Sequence, residues 1–437
     1  MPGLFRALGA GDPDAMTISL GIDFGTSGAR AIALNQNREV QWQQRVAFEQ
    51  SDHLAELWHS TLFKLLEALP RSVGQTFTRI AINGTSGTVL LCDADGQPQV
   101  EPLLYNDDFG KAVLAQVQAI APAAHPVCSA TSSLTKLFWW RQQLDGIPAD
   151  WKLLHQADWL AFLLHQQLGI SDYHNALKLG YDPGAQAYPA WLRKNDQGRL
   201  QSVLPRVVEP GEVIAPITPS LAKHFNINPA CLICAGTTDS IAAFLASGVS
   251  QPGEAVTSLG STLVLKLLSN RRVDDATFGI YSHRLGSRWL VGGASNTGGA
   301  VLKQLFNDEK LAALSQQIDP TVSSPLVYYP LLEVGDRFPI VDPTLQPCLT
   351  PRPKDDVAFL HGILESMARI EAEGYAKLTE KGAPPLQRVV TAGGGAKNEA
   401  WRLIRQRQLR VPVQTAAQTE AAYGTALLAM GCLMDFD

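Results

Sequence analysis

A chain of 437 residues is too long for one ordinary core and suits two domains, and 46% hydrophobic residues suffice to fill both. Its net charge of -5, with both signs interspersed, argues against nucleic acid as the main partner, and no apolar run is long enough to span a bilayer. A soluble, cytoplasmic protein is expected, and six scattered cysteines suit a reducing compartment rather than a disulfide scaffold.

Residues 1–15 are rich in Gly, Ala and Pro and lack the apolar core of a signal peptide. They read as a disordered extension ahead of Met16, or as a start placed too early. Leu20 to Arg30 then reads as a strand entering a tight hairpin, Asp23-Phe24-Gly25-Thr26-Ser27-Gly28. Gly25 and Gly28 leave backbone amides bare and permit positive φ, and Thr26 and Ser27 add hydroxyl donors, so this turn is suited to a nucleotide phosphate. Asp23, at the strand end, is placed to hold magnesium through water. A plain structural hairpin is the alternative.

Ala29 to Val46 should be return strands, Glu56 to Leu69 an amphipathic helix, and Arg79 to Asn83 a buried strand delivering Gly84-Thr85-Ser86-Gly87-Thr88. A strand ending in so many small polar residues opens toward a ligand, with Ser86 the preferred hydroxyl contact. Asn106, Asp107, His174 and Asn175 are weaker loop candidates, each equally a turn residue. Leu134 to Leu144 and Ala157 to Leu168 read as helices whose Trp139, Trp140, Trp159 and Phe162 belong to the core.

Ile233 to Ala246 reads as a strand, a Gly236-Thr237-Thr238 loop, and a helix with Asp239 in its first turn. An acid there is either a cap that favours the helix dipole or a catalytic base beside phosphates. Cys231 and Cys234 have no second pair to complete a zinc site and read as ordinary thiols. Gln251-Pro252-Gly253-Glu254 is the best linker. The hairpin device then recurs: Ala255 to Lys266 is an apolar strand, a Gly260-Ser261-Thr262 turn and a β-branched return strand. Two such hairpins facing each other across a cleft would cradle a polyphosphate from both sides.

Arg388 to Asn398 is a strand, the triple-glycine turn Gly393-Gly394-Gly395, and a helix starting near Asn398. Three glycines let a flat base or ribose lie on the backbone, although a tight strand-to-helix connection needs them too. Arg402, Arg405, Arg407 and Arg410 read as a solvated helix face, and Thr419 to Cys432 as a long closing helix.

Taken in order, these motifs resemble those of the FGGY carbohydrate kinases, within the actin-like ATPase superfamily. Asp23 to Gly28 resembles the first phosphate motif, Gly236 to Asp239 and Gly260 to Thr262 the second, and Gly393 to Asn398 the adenosine motif. The likeness runs from about Met16 to the C-terminus, and is greatest toward the short cyanobacterial and plastid kinases, often labelled xylulokinase-like, that phosphorylate D-ribulose.

The resemblance implies an α/β protein of two ribonuclease-H-like domains around a nucleotide and sugar cleft. Residues 16–246 with 420–437 would bind the sugar, and residues 247–419 the nucleotide, the last helix packing back on the first domain. ATP and magnesium are the implied cofactors, with Asp239 the catalytic base. Asp23, Ser86 and Asp239 would meet the sugar, Asp23 and Asp239 the metal, and Gly25, Thr26, Ser27, Gly260, Ser261, Thr262, Gly394, Gly395 and Asn398 the nucleotide. Since a free Asp has a pKa near ~3.9, Asp239 would be ionised and act late, as the bond to phosphorus forms.

The implied reaction converts D-ribulose to D-ribulose 5-phosphate, in a monomer or weak homodimer. Phosphorylation of D-xylulose, or ATP clamping without transfer, are the alternatives. One departure stands out: Gly84 to Thr88 lies where glycerol kinases carry an Arg-Glu pair and bacterial xylulokinases Met-His, and neither is present.

Overall fold

The computed structural model describes residues 18–123, 125–194 and 199–436, so the expected extension over residues 1–15 lies outside them. Two sheets organise the chain. In the first, of seven strands, Val40–Ala47, Gly28–Leu34 and Ile18–Phe24 run antiparallel in that order. Phe77–Gly84 then joins parallel to Ile18–Phe24, and Leu232–Cys234 parallel to Phe77–Gly84. Ile18–Phe24 alternates large apolar residues, Ile18, Leu20, Ile22 and Phe24 facing the first core, with Ser19, Gly21 and Asp23, yet it is buried along nearly its whole length because its other face is covered too.

The second sheet, of six strands, repeats the plan. Tyr281–Leu285, Arg288–Ser295, Leu263–Ser269 and Glu254–Leu259 are antiparallel neighbours. Arg388–Ala392 and Val413–Thr415 then continue in parallel. The hairpin closed by Gly260-Ser261-Thr262 thus holds the same place in its sheet as the hairpin closed by Gly25-Thr26-Ser27. Each sheet has its own apolar core, and a third cluster, including Phe244, Leu245, Val256, Leu268 and Leu428, fills the seam between the halves.

Two helices set that seam. Asp239–Ala246 leaves the first sheet, and the closing helix Ala421–Ala429 packs against both it and the strand Ile18–Phe24. The contact is at backbone distance: a Cβ on Gly21 would stand 2.1 Å from the Ala426 nitrogen, and one on Gly424 1.8 Å from the Ala242 carbonyl. Only glycine permits either approach.

The helices expected near Glu56, Leu134 and Ala157 form as Leu54–Glu67, Ser133–Gln143 and Gln156–His165. Trp140, Trp159 and Phe162 are buried, and Trp139 stacks on Phe109 with ring centroids 4.8 Å apart. The arginine face is a correction. Arg405, on Glu399–Leu409, is 1% exposed and grips Glu371 of the helix Asp356–Glu380 through two hydrogen bonds of 2.6 and 2.7 Å, with a third to Thr391. Arg402 pairs with Glu399, and Arg407 with Glu365. For these three the paired acids, one a turn away and two on another helix, make a network rather than a solvated stripe, while Arg410 is exposed as expected.

Candidate active site

The first hairpin turn is tight: the Gly25 amide bonds the Gly28 carbonyl at 3.1 Å, leaving Thr26 and Ser27 exposed at its tip. Asp23 lies two residues before the turn and is half-buried, and among the described residues its Oδ1 has no hydrogen-bond partner. Burial and the neighbouring Asp239 carboxylate push its pKa up to about 6, against the pull of Arg30 and Asn83.

Asp239 is the first residue of its helix, with Thr238 at the cap position, and it accepts one hydrogen bond, from the Ser240 amide at 2.7 Å. Burial raises its pKa, opposed by that bond and by the cations Lys266 and Lys178. The direction of the shift makes Asp239 a stronger base than a free Asp. Lys266 Nζ donates to the Ser240 carbonyl at 2.6 Å, and Lys178 Nζ to the Ser86 carbonyl at 3.1 Å.

The loop after Asn83 is held from beneath. Gln156 Oε1 accepts from the Thr85 amide, the Thr85 and Thr88 hydroxyls lie 2.6 Å apart, and Thr88 Oγ1 accepts from the Tyr105 amide. Buried Lys136 ties the Gly87 and Leu104 carbonyls together. Thr85 and Thr88 are therefore framework, and Ser86 is the residue presented. A cavity of about 830 Å³ brings Thr26, Ser86, Lys178, Asp239 and His283 to one surface.

The weaker loop candidates resolve differently. His174 lines the cavity, but both ring nitrogens are engaged: Nε2 faces the Arg284 carbonyl at 2.6 Å and Nδ1 the Thr237 hydroxyl at 2.8 Å. A carbonyl only accepts, so Nε2 carries the proton, and burial lowers the His174 pKa to about 4. It is a neutral strut between the halves. Asn175 bonds Asp172, Asp107 closes a turn on the Leu104 amide, and Asn106 is exposed.

In the second half the glycine loops converge. A Cβ on Gly393 would stand 2.7 Å from the Leu259 carbonyl, and the Gly299 amide bonds the Gly260 carbonyl at 2.8 Å. Gly260-Ser261-Thr262, Gly298-Gly299 and Gly393-Gly394-Gly395 therefore adjoin, and Gly394 has open space where a side chain would go. Of the triplet it is Gly393 that has positive φ, 85°. Asn398 caps the helix Glu399–Leu409 through Oδ1 and donates through Nδ2 to Ser315 at 2.8 Å, so its amide is taken up within the protein.

The pattern of the N-terminal domain of the FGGY family of carbohydrate kinases matches residues 18–246, and that of the C-terminal domain residues 255–431. The chain belongs to the FGGY family of carbohydrate kinases. It is 20% identical to a gluconokinase of Bacillus subtilis, over 96% of this chain and 88% of that one. It is 22% identical to a xylulose kinase of Staphylococcus epidermidis, over 94% and 87%. A crystal structure titled as a xyloylose kinase from Brucella ovis superimposes with a TM-score of 0.83 at 22% identity, covering 96% of this chain and 91% of that one.

The fold of this kinase is thus the two-domain α/β arrangement of the actin-like ATPases, and the chain is an ATP-dependent sugar kinase rather than a bare ATP clamp. No helix among its described residues is long and apolar enough to cross a membrane. Lys178, Lys266 and the Gly298-Gly299 turn of the kinase were missed by sequence reasoning. The glycine pair has a local signal, since it follows a strand and opens a helix. The lysines have none, because their partners are 92 and 26 residues away.

Proposed function

We propose that this kinase transfers the γ-phosphoryl group of ATP to the terminal 5-hydroxyl of a ketopentose, D-ribulose giving D-ribulose 5-phosphate. The observation that carries the reading is the single cavity wall on which Asp239, Ser86 and Thr26 meet. Ser86 offers the sugar a short neutral hydroxyl, which suits a compact polyol, whereas a sugar phosphate would want a guanidinium at this loop. Asp239 takes the proton of the attacking hydroxyl, and its raised pKa suits that work.

Residues 16–246 with 420–437 would carry the sugar, and residues 247–419 the nucleotide. On this reading the amides and hydroxyls of Gly25, Thr26 and Ser27 face those of Gly260, Ser261 and Thr262 across the phosphates. Gly394 and Gly395 receive the adenosine, and Asn398 supports their loop as a helix cap. Magnesium fits the donor set: the Asp23 Oδ1 lacks a partner and its carboxylate is repelled by Asp239, while magnesium commonly takes one or two carboxylates together with phosphate oxygens. Bound there, the ion would neutralise phosphate charge.

D-xylulose is the second reading, favoured by the xylulose kinases among the relatives. An ADP-release assay over a panel of D-ribulose, D-xylulose, glycerol and D-gluconate separates them. The highest kcat/KM is expected for D-ribulose, and a higher value for any other member overturns the substrate assignment.

A further inference from the structure

Two lysines hold the sugar loop, and they differ in what they leave free. Lys136 is fully buried and its ammonium bridges two backbone carbonyls. Lys178 instead lies in the cavity wall, between Ser86 and Asp239. Its stem passes Gly87, where a Cβ would stand 3.4 Å from Lys178 Cδ. Among the described residues the Ser86 carbonyl, at 3.1 Å, is its hydrogen-bond acceptor, and no carboxylate lies within ion-pair distance. An ammonium has three N–H donors, so two are left on the cavity side of a largely desolvated cation. Burial lowers the Lys178 pKa accordingly, with Asp239 opposing.

A ligand oxygen that accepts without donating would satisfy such a group best. Sugar hydroxyls do both and can pair with Ser86, but a ketone carbonyl only accepts, and a charged donor strengthens the bond it receives. We propose that Lys178 Nζ binds the ketone oxygen of the pentulose and is a specificity-determining residue that separates ketoses from pentitols. This rests on the ketopentose reading above.

The test compares wild type with Lys178→Met, which keeps the stem and removes the donors, and Lys178→Gln, which restores one neutral donor. Because charged hydrogen bonds exceed neutral ones, KM for the ketopentose should rise by about tenfold or more in Lys178→Met and by less in Lys178→Gln. KM for ATP should stay within about twofold, and the inhibition constant of ribitol, which has no carbonyl, should not move. Calorimetric titration of the ketose into each variant gives the same comparison where turnover is too low to measure. An unchanged ketose constant in Lys178→Met, or an equal loss of ketose and ribitol binding, overturns the role of Lys178 alone. D-gluconate outperforming every ketose in a Lys178-dependent way assigns the ammonium to a carboxylate and overturns the ketone. A wild-type enzyme that turns over no ketose removes the reading beneath it, and the proposal with it.

Discussion

Lys266 Nζ reaches from the second sheet to the Ser240 carbonyl, 2.6 Å away, and so ties the return strand of the Gly260-Ser261-Thr262 hairpin to the first turn of the helix that carries Asp239. The bond crosses the seam between the two halves. It places a cation beside the proposed base and makes the position of that base depend on the second sheet.

Lys266→Met should therefore lower kcat by about 10- to 100-fold, the span expected for losing a charge-assisted hydrogen bond, with a smaller change in the sugar KM. Burial lowers the Lys266 pKa to about 8, opposed by Asp239, so its charge is complete below that pH and fades above it. A wild-type alkaline limb near pH 8 that shifts upward in Lys266→Arg is the expected profile. Steady-state kinetics across pH 6 to 10 would expose a purely structural lysine by leaving kcat intact in the methionine variant.

Asp239→Asn keeps the size of the side chain and removes its basicity. Sugar phosphorylation should fall by roughly 10²- to 10⁴-fold while ATP affinity stays within a few-fold. Turnover close to wild type would reduce Asp239 to a helix-start acid.

Asp23 carries a pH signature in stability. Its pKa rises from 3.8 unfolded to about 6 folded, so the folded state resists ionisation. The native state is then unpenalised below about pH 4 and loses stability as pH rises toward 6, by up to about 3 kcal/mol, with the loss complete above that. Asp23→Asn should raise the Tm of the ligand-free protein at pH 8 and leave it unchanged at pH 4, while phosphorylation is lost. A lower Tm at pH 8 would contradict the sign.

The glycine triplet separates ligand space from fold space. Gly394 has no neighbouring atom where a Cβ would stand, so Gly394→Val should fold and weaken ATP binding by about tenfold or more through a lost backbone approach. Gly393 combines φ of 85° with a Cβ position 2.7 Å from the Leu259 carbonyl, so Gly393→Val should lower Tm by several degrees. Calorimetry with ATP and thermal melts on both variants distinguish the two; normal ATP binding in folded Gly394→Val moves the adenosine elsewhere.

Much of the plan was legible because both hairpins announce themselves locally, by a strand, a glycine and two hydroxyl residues within a few positions. The same holds for the strand ending at Gly84 and the helix opening at Asp239. What escaped was settled by distant partners. Arg405 looked solvated because Glu399–Leu409 is rich in charge, and nothing near it in sequence predicts Glu371, 34 residues away. Asn398 stands where the sequence starts a helix, and its cap on Trp401 is local, but its bond to Ser315, 83 residues away, has no sign in the sequence. Lys178 and Lys266 lie in an apolar segment and an apolar strand, where a lone lysine gives no sign of facing a cleft.

The glycine-to-backbone contacts of Ala421–Ala429 have a consequence for synthesis. This helix covers Ile18–Phe24, a strand about 400 residues earlier, so the first sheet emerges from the ribosome long before the segment that seals it. Until then the groove over Gly21, with Ile32 and Leu34 beside it, faces outward as an apolar surface, and closing so long a loop is slow. A nascent chain released short of residue 420 should be a client for chaperones even when every catalytic group is already present.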